Sequence, residues 1–191
     1  SEVAKLTGAI NTIVNQDGKL FGTSTDGAGF FKSLKNFKVK GSTITVIGAG
    51  GAARSIIAEA AVQGAGQITV YNRTYKPELF ADYPGNIVFK PLSDLTELIG
   101  DLLVNTTSLG MDGVSLPIAM ALQLPKDMLV ADVIYQPIET PLLAYAKAQG
   151  NPTVNGLGML LYQAAESFKL WTGHEMPTDI ILKKLEEKIY G

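Results

Sequence analysis

The chain has 191 residues, 46% of them hydrophobic, which is enough apolar material for one ordinary core. Its net charge of −2 gives no basic excess, which argues against a nucleic-acid-binding surface. With no cysteine and a single histidine, thiolate chemistry is excluded, and neither a histidine metal cluster nor a Ser-His-Asp triad is expected. No apolar run is long enough for a membrane span. From the charge and this pattern together, neither nucleic acid nor a membrane is an expected partner.

The first elements of the chain are predicted to be a hairpin and a helix. Segments 9–14 and 19–23 flank the hairpin-like turn signal Asn15-Gln-Asp-Gly18. A helix is then expected to begin at Asp26, with Asp26 in the N-cap position. The sequence opens on Ser1, without an initiator methionine, in a segment that reads like the end of a helix. We therefore expect a chain cut at its N-terminus.

A glycine-rich loop between a strand and a helix is the most specific motif. Residues 43–47 form a β-branched apolar run, and an alanine-rich helix is predicted over 52–63. The loop fits G-x-G-x-x-G/A, in which backbone amides at a helix N-terminus hold a pyrophosphate. A mobile glycine turn is the alternative, but the flanking strand and helix favour a dinucleotide site. Its predicted residues are Gly48, Ala49, Gly50, Gly51, Ala52 and Ala53.

The end of the next strand predicts which dinucleotide binds. The strand at 67–71 ends at Asn72-Arg73-Thr74, about 20 residues beyond the loop, where NAD sites usually carry Asp or Glu. Here the residue is a neutral Asn72, followed by Arg73 and, close by, Lys76. A guanidinium can hold a 2′-phosphate that a carboxylate would repel. The motif therefore predicts NADP rather than NAD, although a solvated basic turn would look the same.

Strand and helix patterns then alternate as far as residue 155. Strands that are apolar throughout and joined by helices indicate a parallel sheet covered on both faces. Right-handed crossovers favour the order 3-2-1-4-5-6. We therefore predict an α/β fold with a Rossmann-like doubly wound sheet of about six strands. The remaining strands are expected at 86–90, 102–106, 129–134 and 153–155, and helices near 77–81, 92–99, 117–122 and 141–149.

Two consecutive helices, at 157–172 and 178–190, are predicted to end the chain, with His174 exposed in the turn between them. The first has an apolar stripe that needs a partner surface, which the Rossmann unit does not obviously supply. We therefore expect residues 26–155 to form the NADP-binding domain, and 1–25 and 156–191 to be remnants of a substrate-binding domain. The stripe consists of Leu157, Leu160, Leu161, Ala164, Ala165, Phe168 and Trp171.

Five segments in order along the chain resemble the shikimate dehydrogenase family. They are GAINT at 8–12, GTSTDG at 22–27, NTTSLG at 105–110, YQPIETPLL at 135–143 and GLGMLLYQAA at 156–165. The resemblance implies a cytoplasmic oxidoreductase that uses NADPH to reduce 3-dehydroshikimate reversibly to shikimate. This reaction is a step in chorismate and aromatic amino acid biosynthesis. A homodimer is a possible assembly, and no metal is implied.

The resemblance also implies roles for individual residues. Asn11 and Gln163 would hydrogen-bond hydroxyls of the substrate, Asp26 would work with a catalytic lysine, and Tyr135 would lie near the substrate. The cofactor would be bound beyond the glycine loop by three further groups of residues. These are Asn72, Arg73, Thr74 and Lys76 around the 2′-phosphate, the backbone at Thr106, Thr107 and Ser108, and Gly156 and Met159 along the nicotinamide.

The chain also departs from the family pattern. Ser24 stands where the family usually has Asn, and no position matches the family's substrate-binding serines or its catalytic lysine. Lys5 is no substitute, because it lies in a helix tail and matches no catalytic motif. We therefore expect cofactor binding at most, without appreciable turnover, from this chain alone. The alternatives are a paralogue acting on quinate or an aminated analogue, and a non-catalytic nucleotide-binding module.

Overall fold

The computed structural model describes all 191 residues. The chain begins with a short helix, α1 (Glu2–Thr7), and the predicted antiparallel hairpin of β1 (Thr12–Gln16) and β2 (Lys19–Thr23). Helix α2 (Asp26–Ser33) follows, and its N-cap is Thr25 rather than Asp26. The predicted N-cap was wrong by one position, so Asp26 lies inside the first helical turn.

Six parallel strands form the central sheet. In space they run β5-β4-β3-β6-β7-β8, which is the predicted order 3-2-1-4-5-6 when the strands of this sheet are counted from its first. At the carboxyl ends, Ile47 lies opposite Tyr71 on one side and Asn105 on the other. The order reverses beside β3, where such sheets bind ligands. The strands are β3 (Thr43–Ile47), β4 (Gln67–Asn72), β5 (Ile87–Pro91), β6 (Leu102–Asn105), β7 (Leu129–Asp132) and β8 (Thr153–Val154).

Both faces of the sheet are buried. Since alternate residues of each strand point to opposite faces, neighbouring residues of one strand belong to different core clusters. Val46 belongs to a core cluster that contains Phe30 of α2 and Ile56 of α3. Its neighbour Ile47 belongs to a second cluster, with Leu142 of α4. The helices that follow the hairpin region are α3 (Gly51–Val62), α4 (Pro141–Ala148), α5 (Leu157–Thr172) and α6 (Thr178–Tyr190).

Two predicted helices are absent. Only a 3₁₀ turn at Leu92–Asp94 forms within 92–99, and 117–122 contains no helix. In the first segment, Leu95 and Leu98 are buried in the second cluster from an irregular backbone. Since burial rather than helical periodicity accounts for these leucines, tertiary packing overrides the local pattern. The predicted helix at 77–81 is likewise a single 3₁₀ turn, Pro77–Phe80.

Helix α5 finds much of its partner surface within this chain, contrary to expectation. It packs against α2, and Leu157, Leu161 and Ala165 are buried. Only the far end of the stripe stays open: Trp171 is 60% exposed, and its Nε1 donates to the carbonyl of Ile13 (2.9 Å). His174 is exposed, as predicted. No helix combines the length and apolar character that crossing a bilayer requires.

Candidate functional site

The first turn after β3 is fixed by Gly48. Its φ is +107°, a region that residues with a side chain rarely adopt. Its N–H donates to the carbonyl of Tyr71 (2.8 Å), and a Cβ here would lie 2.4 Å from Oγ1 of Thr106. Glycine is therefore required both by the backbone conformation and by the close approach of the β6 loop.

Helix α3 presents an open N-terminus to the crevice. Its N-cap residue, Gly50, provides no side-chain cap, and the first turn contains no acidic residue. The N–H of Arg54 makes the first helical bond, to the carbonyl of Gly50 (3.0 Å), so the preceding N–H groups have no partner within the helix. A Cβ on Gly50 or Gly51 would meet nothing within 4 Å. Free amides, the helix dipole and open space are together what a phosphate-binding site requires.

A small cavity of ≈ 180 Å³ joins this loop to the end of β4. Its lining includes Gly48, Asn72, Arg73 and Ser108, and none of its nine residues is acidic. Nδ2 of Asn72 donates to the carbonyl of Thr74 (2.9 Å), which holds the turn that exposes the Arg73 side chain. The cavity therefore presents a cation and amides, without a carboxylate, where a ribose would be recognised. Thr74 and Lys76 are exposed beyond it.

A buried carboxylate that the sequence analysis missed supports both loops beside the crevice. Asp132 ends β7 directly opposite Asn105 of β6, and both are almost fully buried. Nδ2 of Asn105 donates to both Asp132 oxygens (3.1 Å each), and the Thr140 hydroxyl and the N–H of Ile134 donate as well (2.8 and 3.0 Å). Oδ1 of Asn105 accepts from the hydroxyl and the N–H of Thr107 (2.8 and 3.1 Å). One network thus fixes the segments that begin at 106 and 133.

A second cavity, of ≈ 360 Å³, brings together the four predicted substrate residues. Asn11, Asp26, Tyr135 and Gln163 line it, although they come from the residue before β1, from α2, from the segment after β7, and from α5. The same cavity is lined by three residues that the sequence analysis assigns to the cofactor: Ala52 from the glycine loop, and Gly156 and Met159 from the family resemblance. The proposed substrate and cofactor residues therefore share one cavity, at the N-terminus of α3.

Asn11 is held in this cavity by reciprocal hydrogen bonds. Its Nδ2 donates to Oδ1 of Asp26 (2.9 Å) and to the Thr25 hydroxyl (3.0 Å), and its Oδ1 accepts from the N–H of Thr25 (3.0 Å). Behind it lies a cluster of buried hydroxyls that the sequence analysis did not identify. Oγ of Ser167 lies 2.6 Å from that of Thr12 and 3.1 Å from that of Thr25. These bonds attach α5 to the segment that carries Asn11 and Asp26.

The electrostatic setting of Asp26 follows from its partial burial. Burial raises the pKa of the Asp26 carboxyl above its ordinary value, and the hydrogen bond from Asn11 opposes the rise.

Nε2 of Gln163 donates to the carbonyl of Leu160 (3.0 Å), one turn earlier on its own helix. Nowhere in the described structure do three His, Cys, Asp or Glu side chains gather as a metal site would require.

A third cavity, of ≈ 860 Å³, lies between the loops that follow β6 and β7. It shares Thr107 and Ser108 with the small cavity at Arg73, and Tyr135 with the cavity at Asp26. The three cavities therefore adjoin along the carboxyl edge of the sheet. Such a crevice has room for an extended molecule that reaches from Arg73 to Asp26.

Comparison with known proteins agrees with this geometry. Two family models match, described as shikimate/quinate 5-dehydrogenase over residues 32–133 and as the shikimate 5′-dehydrogenase C-terminal domain over 156–186. Shikimate dehydrogenase (NADP(+)) from Streptococcus pneumoniae strain JJA is 50% identical over 201 residues, covering 98% of this chain and 71% of that protein.

Two solved structures show the same architecture. Shikimate 5-dehydrogenase from Listeria monocytogenes, in complex with shikimate and NAD, superposes with a TM-score of 0.88 at 34% identity, over 97% of this chain and 70% of that one. A ligand-free 5-ketofructose reductase from Gluconobacter sp. strain CHM43 gives a TM-score of 0.90 at 36% identity, over 98% and 72%. The crevice, the order of its motifs and these similarities lead to one conclusion: the chain belongs to the shikimate dehydrogenase family of oxidoreductases.

Proposed function

We propose that this chain binds NADPH and provides the cofactor-facing part of the site that reduces 3-dehydroshikimate reversibly to shikimate. The observation that carries the proposal is the convergence of Asn11, Asp26, Tyr135 and Gln163 in one cavity at the N-terminus of α3. Membership of the family supports the reaction, and the name of the Streptococcus relative supports the cofactor. On this basis the enzyme would act in chorismate biosynthesis in the cytoplasm.

The cofactor is proposed to lie along the carboxyl edge of the sheet. The free amides at the start of α3 would bind its pyrophosphate, with Ala53 fully buried where the helix meets the sheet. Arg73 would pair with the 2′-phosphate, while Asn72, Thr74 and Lys76 surround it. The turn at Thr106, Thr107 and Ser108 would run beneath the molecule. Gly156 and Met159 would lie along the nicotinamide, which supplies the hydride when bound, and Tyr135 would lie next to them, near the substrate.

The chain's own contribution to the chemistry is the orientation of substrate and proton donor. Hydride addition to a ketone creates alkoxide charge, so a positioned proton donor accelerates it, typically by about 10²–10⁴-fold. We assign Asp26, oriented by Asn11, to hold that donor; the family resemblance implies a lysine as its partner. The amides of Asn11 and Gln163 would bind the substrate hydroxyls, which requires Gln163 to exchange its bond to the carbonyl of Leu160.

Three narrower expectations stay predictions. Residues 26–155 would form the cofactor domain, with 1–25 and 156–191 belonging to the substrate domain. Turnover by this chain alone is expected to be very low, because no position matches the family lysine. Pairing of two copies as a homodimer is the expected assembly if the protein is not a monomer. Quinate is the alternative substrate. The Asn72-Arg73-Thr74 segment favours NADP as cofactor, and this cofactor preference in turn favours shikimate over quinate.

Side-chain amide resonances provide a direct test. We expect NADP⁺, added to the chain, to shift the Asn11 and Gln163 side-chain amide signals in a ¹⁵N–¹H spectrum, because both residues line the cavity that also contains Gly156 and Met159. The Asn151 amide is the internal control, because it is buried elsewhere, against the carbonyls of Pro125 and Met128. 2′-Phospho-ADP-ribose, which lacks the nicotinamide, should shift the same two signals less. Unmoved Asn11 and Gln163 signals at saturating NADP⁺ would contradict the proposed position of the nicotinamide beside the substrate residues.

A further inference from the structure

The last residue of α6 reaches back to the crevice. Tyr190 donates its hydroxyl hydrogen to the carbonyl oxygen of Tyr135 (2.6 Å) and accepts a hydrogen bond from Nδ2 of Asn155 (3.2 Å). The same Nδ2 donates to the carbonyl of Ile138 (3.0 Å), and Oδ1 of Asn155 accepts from the N–H of Leu157 (3.2 Å). Tyr190 and Asn155 therefore connect the segments that follow two neighbouring strands, β7 and β8.

Those two segments are also in close contact with each other. The N–H of Gly156 donates to the carbonyl of Ile134 (2.9 Å), and a Cβ on Gly156 would lie 1.9 Å from the carbonyl oxygen of Val133. No side chain fits between them, so a shift of the Tyr135 segment would displace Gly156 as well. The hydrogen bond from Tyr190 thus lies at the outer end of two closely packed backbone segments.

The two held segments carry Gly156, which is proposed to lie along the nicotinamide, and Tyr135, which is proposed to lie near the substrate. Ile189 and Tyr190 line the ≈ 860 Å³ cavity together with Thr106, Thr107 and Tyr135. We propose that Tyr190 is a positioning residue for the nicotinamide end of the cofactor, acting through the Tyr135 carbonyl. The inference rests on the proposed function, because it requires NADPH to occupy this crevice. Tyr190 acts through Tyr135 and is not itself a catalytic residue.

A purely structural role makes a different prediction. Helix α6 has no fully buried residue and packs mainly on α5, so Tyr190 could serve only to attach it. Loss of the hydroxyl would then lower thermal stability and weaken every ligand alike. A positioning role instead affects ligands selectively, because the 2′-phosphate site at Arg73 lies at the opposite end of the crevice.

Tyr190→Phe removes the hydroxyl and keeps the ring. We expect it to weaken NADPH binding by about threefold to tenfold, the effect of one lost hydrogen bond. Binding of 2′-phospho-ADP-ribose, which lacks the nicotinamide, should stay within about twofold of the unsubstituted chain on the same principle. Asn155→Ala should give the same selective loss, and the double variant should lose less than the product of the two, because both act on one network.

Tyr145→Phe is the matched control. The Tyr145 hydroxyl also donates to a backbone carbonyl, that of Leu122 (2.7 Å), away from the crevice. It should leave both affinities unchanged. Equal weakening of the two ligands by Tyr190→Phe, or no change in either, would overturn the positioning role while the proposed function stands. If the unsubstituted chain bound neither ligand, the proposed function would fail and this inference with it.

Discussion

The two ends of the crevice are built in different ways. At the adenosine end, the ligand-facing groups come from two short contiguous segments, 48–53 and 72–76, and many of them are backbone groups. At the substrate end, four side chains arrive from four separate elements. They are held by hydrogen bonds between residues distant in sequence, such as the Thr25–Ser167 pair, which are 142 positions apart. The first end depends on local backbone geometry, and the second on the assembled tertiary structure.

This difference predicts where substitutions lower the stability of the fold and where they weaken only ligand binding. Substitution of a residue whose hydrogen bonds join distant segments should lower stability and disturb several loops at once. Substitution of a glycine that has open space around it at the start of α3 should weaken only ligand binding. The substitutions below test this division, in order of decreasing expected effect.

Asp132→Ala is expected to have the largest effect. It leaves the buried donors of Asn105, Thr140 and Ile134 without their acceptor, and each orphaned donor costs about 1–3 kcal/mol. We expect the free energy of unfolding in urea to fall by about 3 kcal/mol. Asp82→Ala, at an exposed aspartate, is the control and should change little. A change of less than about 1 kcal/mol on the same scale would mean that the network does not hold the two loops.

Gly48→Ala and Gly50→Ala separate strain from ligand obstruction. The first forces a side chain into a positive φ and towards Thr106, so thermal stability and NADPH affinity should both fall, affinity by at least about tenfold. The second adds a methyl group in open space, so stability should hold while NADPH affinity falls. Thermal unfolding and fluorescence titration check both. Full NADPH affinity in Gly50→Ala would contradict the phosphate site.

Ser167→Ala tests the hydroxyl cluster behind Asn11. The variant removes a buried group that links Thr12, Thr25 and the carbonyl of Gln163. We expect about 1–2 kcal/mol lower stability in urea unfolding. Thr172→Ala at the exposed end of the same helix is the control, because its hydroxyl bonds only groups close in sequence: it donates to the carbonyl of Phe168 and accepts from the N–H of His174. Equal effects from the two variants would show that Ser167 does not connect the elements.

The smallest expected effect is on the titration of Asp26. Burial raises the pKa of Asp26, and the Asn11 amide stabilises the ionised form, so Asn11→Ala should raise this pKa further. Because the folded-state pKa lies above the unfolded one, the contribution of Asp26 to stability is present at low pH. It is lost as the pH rises from the unfolded value through the folded one. Carboxyl ¹³C NMR titration measures the shift, with Asn15→Ala as control; a lowered pKa would contradict the assignment.

The strand, glycine turn and helix at the Arg73 end of the crevice were predictable from the sequence for a physical reason. A strand, a glycine turn and a helix N-terminus determine one another over about ten residues, so the motif specifies its own geometry. The strand order of the sheet was also predictable from the sequence, because apolar strands and right-handed crossovers leave few alternative topologies. Asn11, Asp26 and Gln163 were accessible only through the family resemblance, since an isolated amide or carboxylate fits a turn or a helix cap as well.

The features that the sequence missed share a dependence on tertiary structure. Asp132, Thr25 and Ser167 acquire their roles from partners far along the chain, and no local spacing marks them. One signal could have identified Asp132: a charged residue at the end of an otherwise apolar, doubly covered strand needs buried partners. The helices wrongly predicted at 92–99 and 117–122 failed for the converse reason, because leucines there reach the core from irregular backbone.

The central claim is that the cavity at Arg73 accepts a 2′-phosphate because a neutral Asn72 replaces the acid of NAD sites and the cation of Arg73 lies next to it. Titration of the same chain with NADPH and with NADH tests it most directly. We predict tighter binding of NADPH, and an NADPH preference that Arg73→Ala reduces by about tenfold or more, the effect of one charged hydrogen-bonding pair. NADH bound more tightly than NADPH, or a preference that survives Arg73→Ala unchanged, would contradict the account.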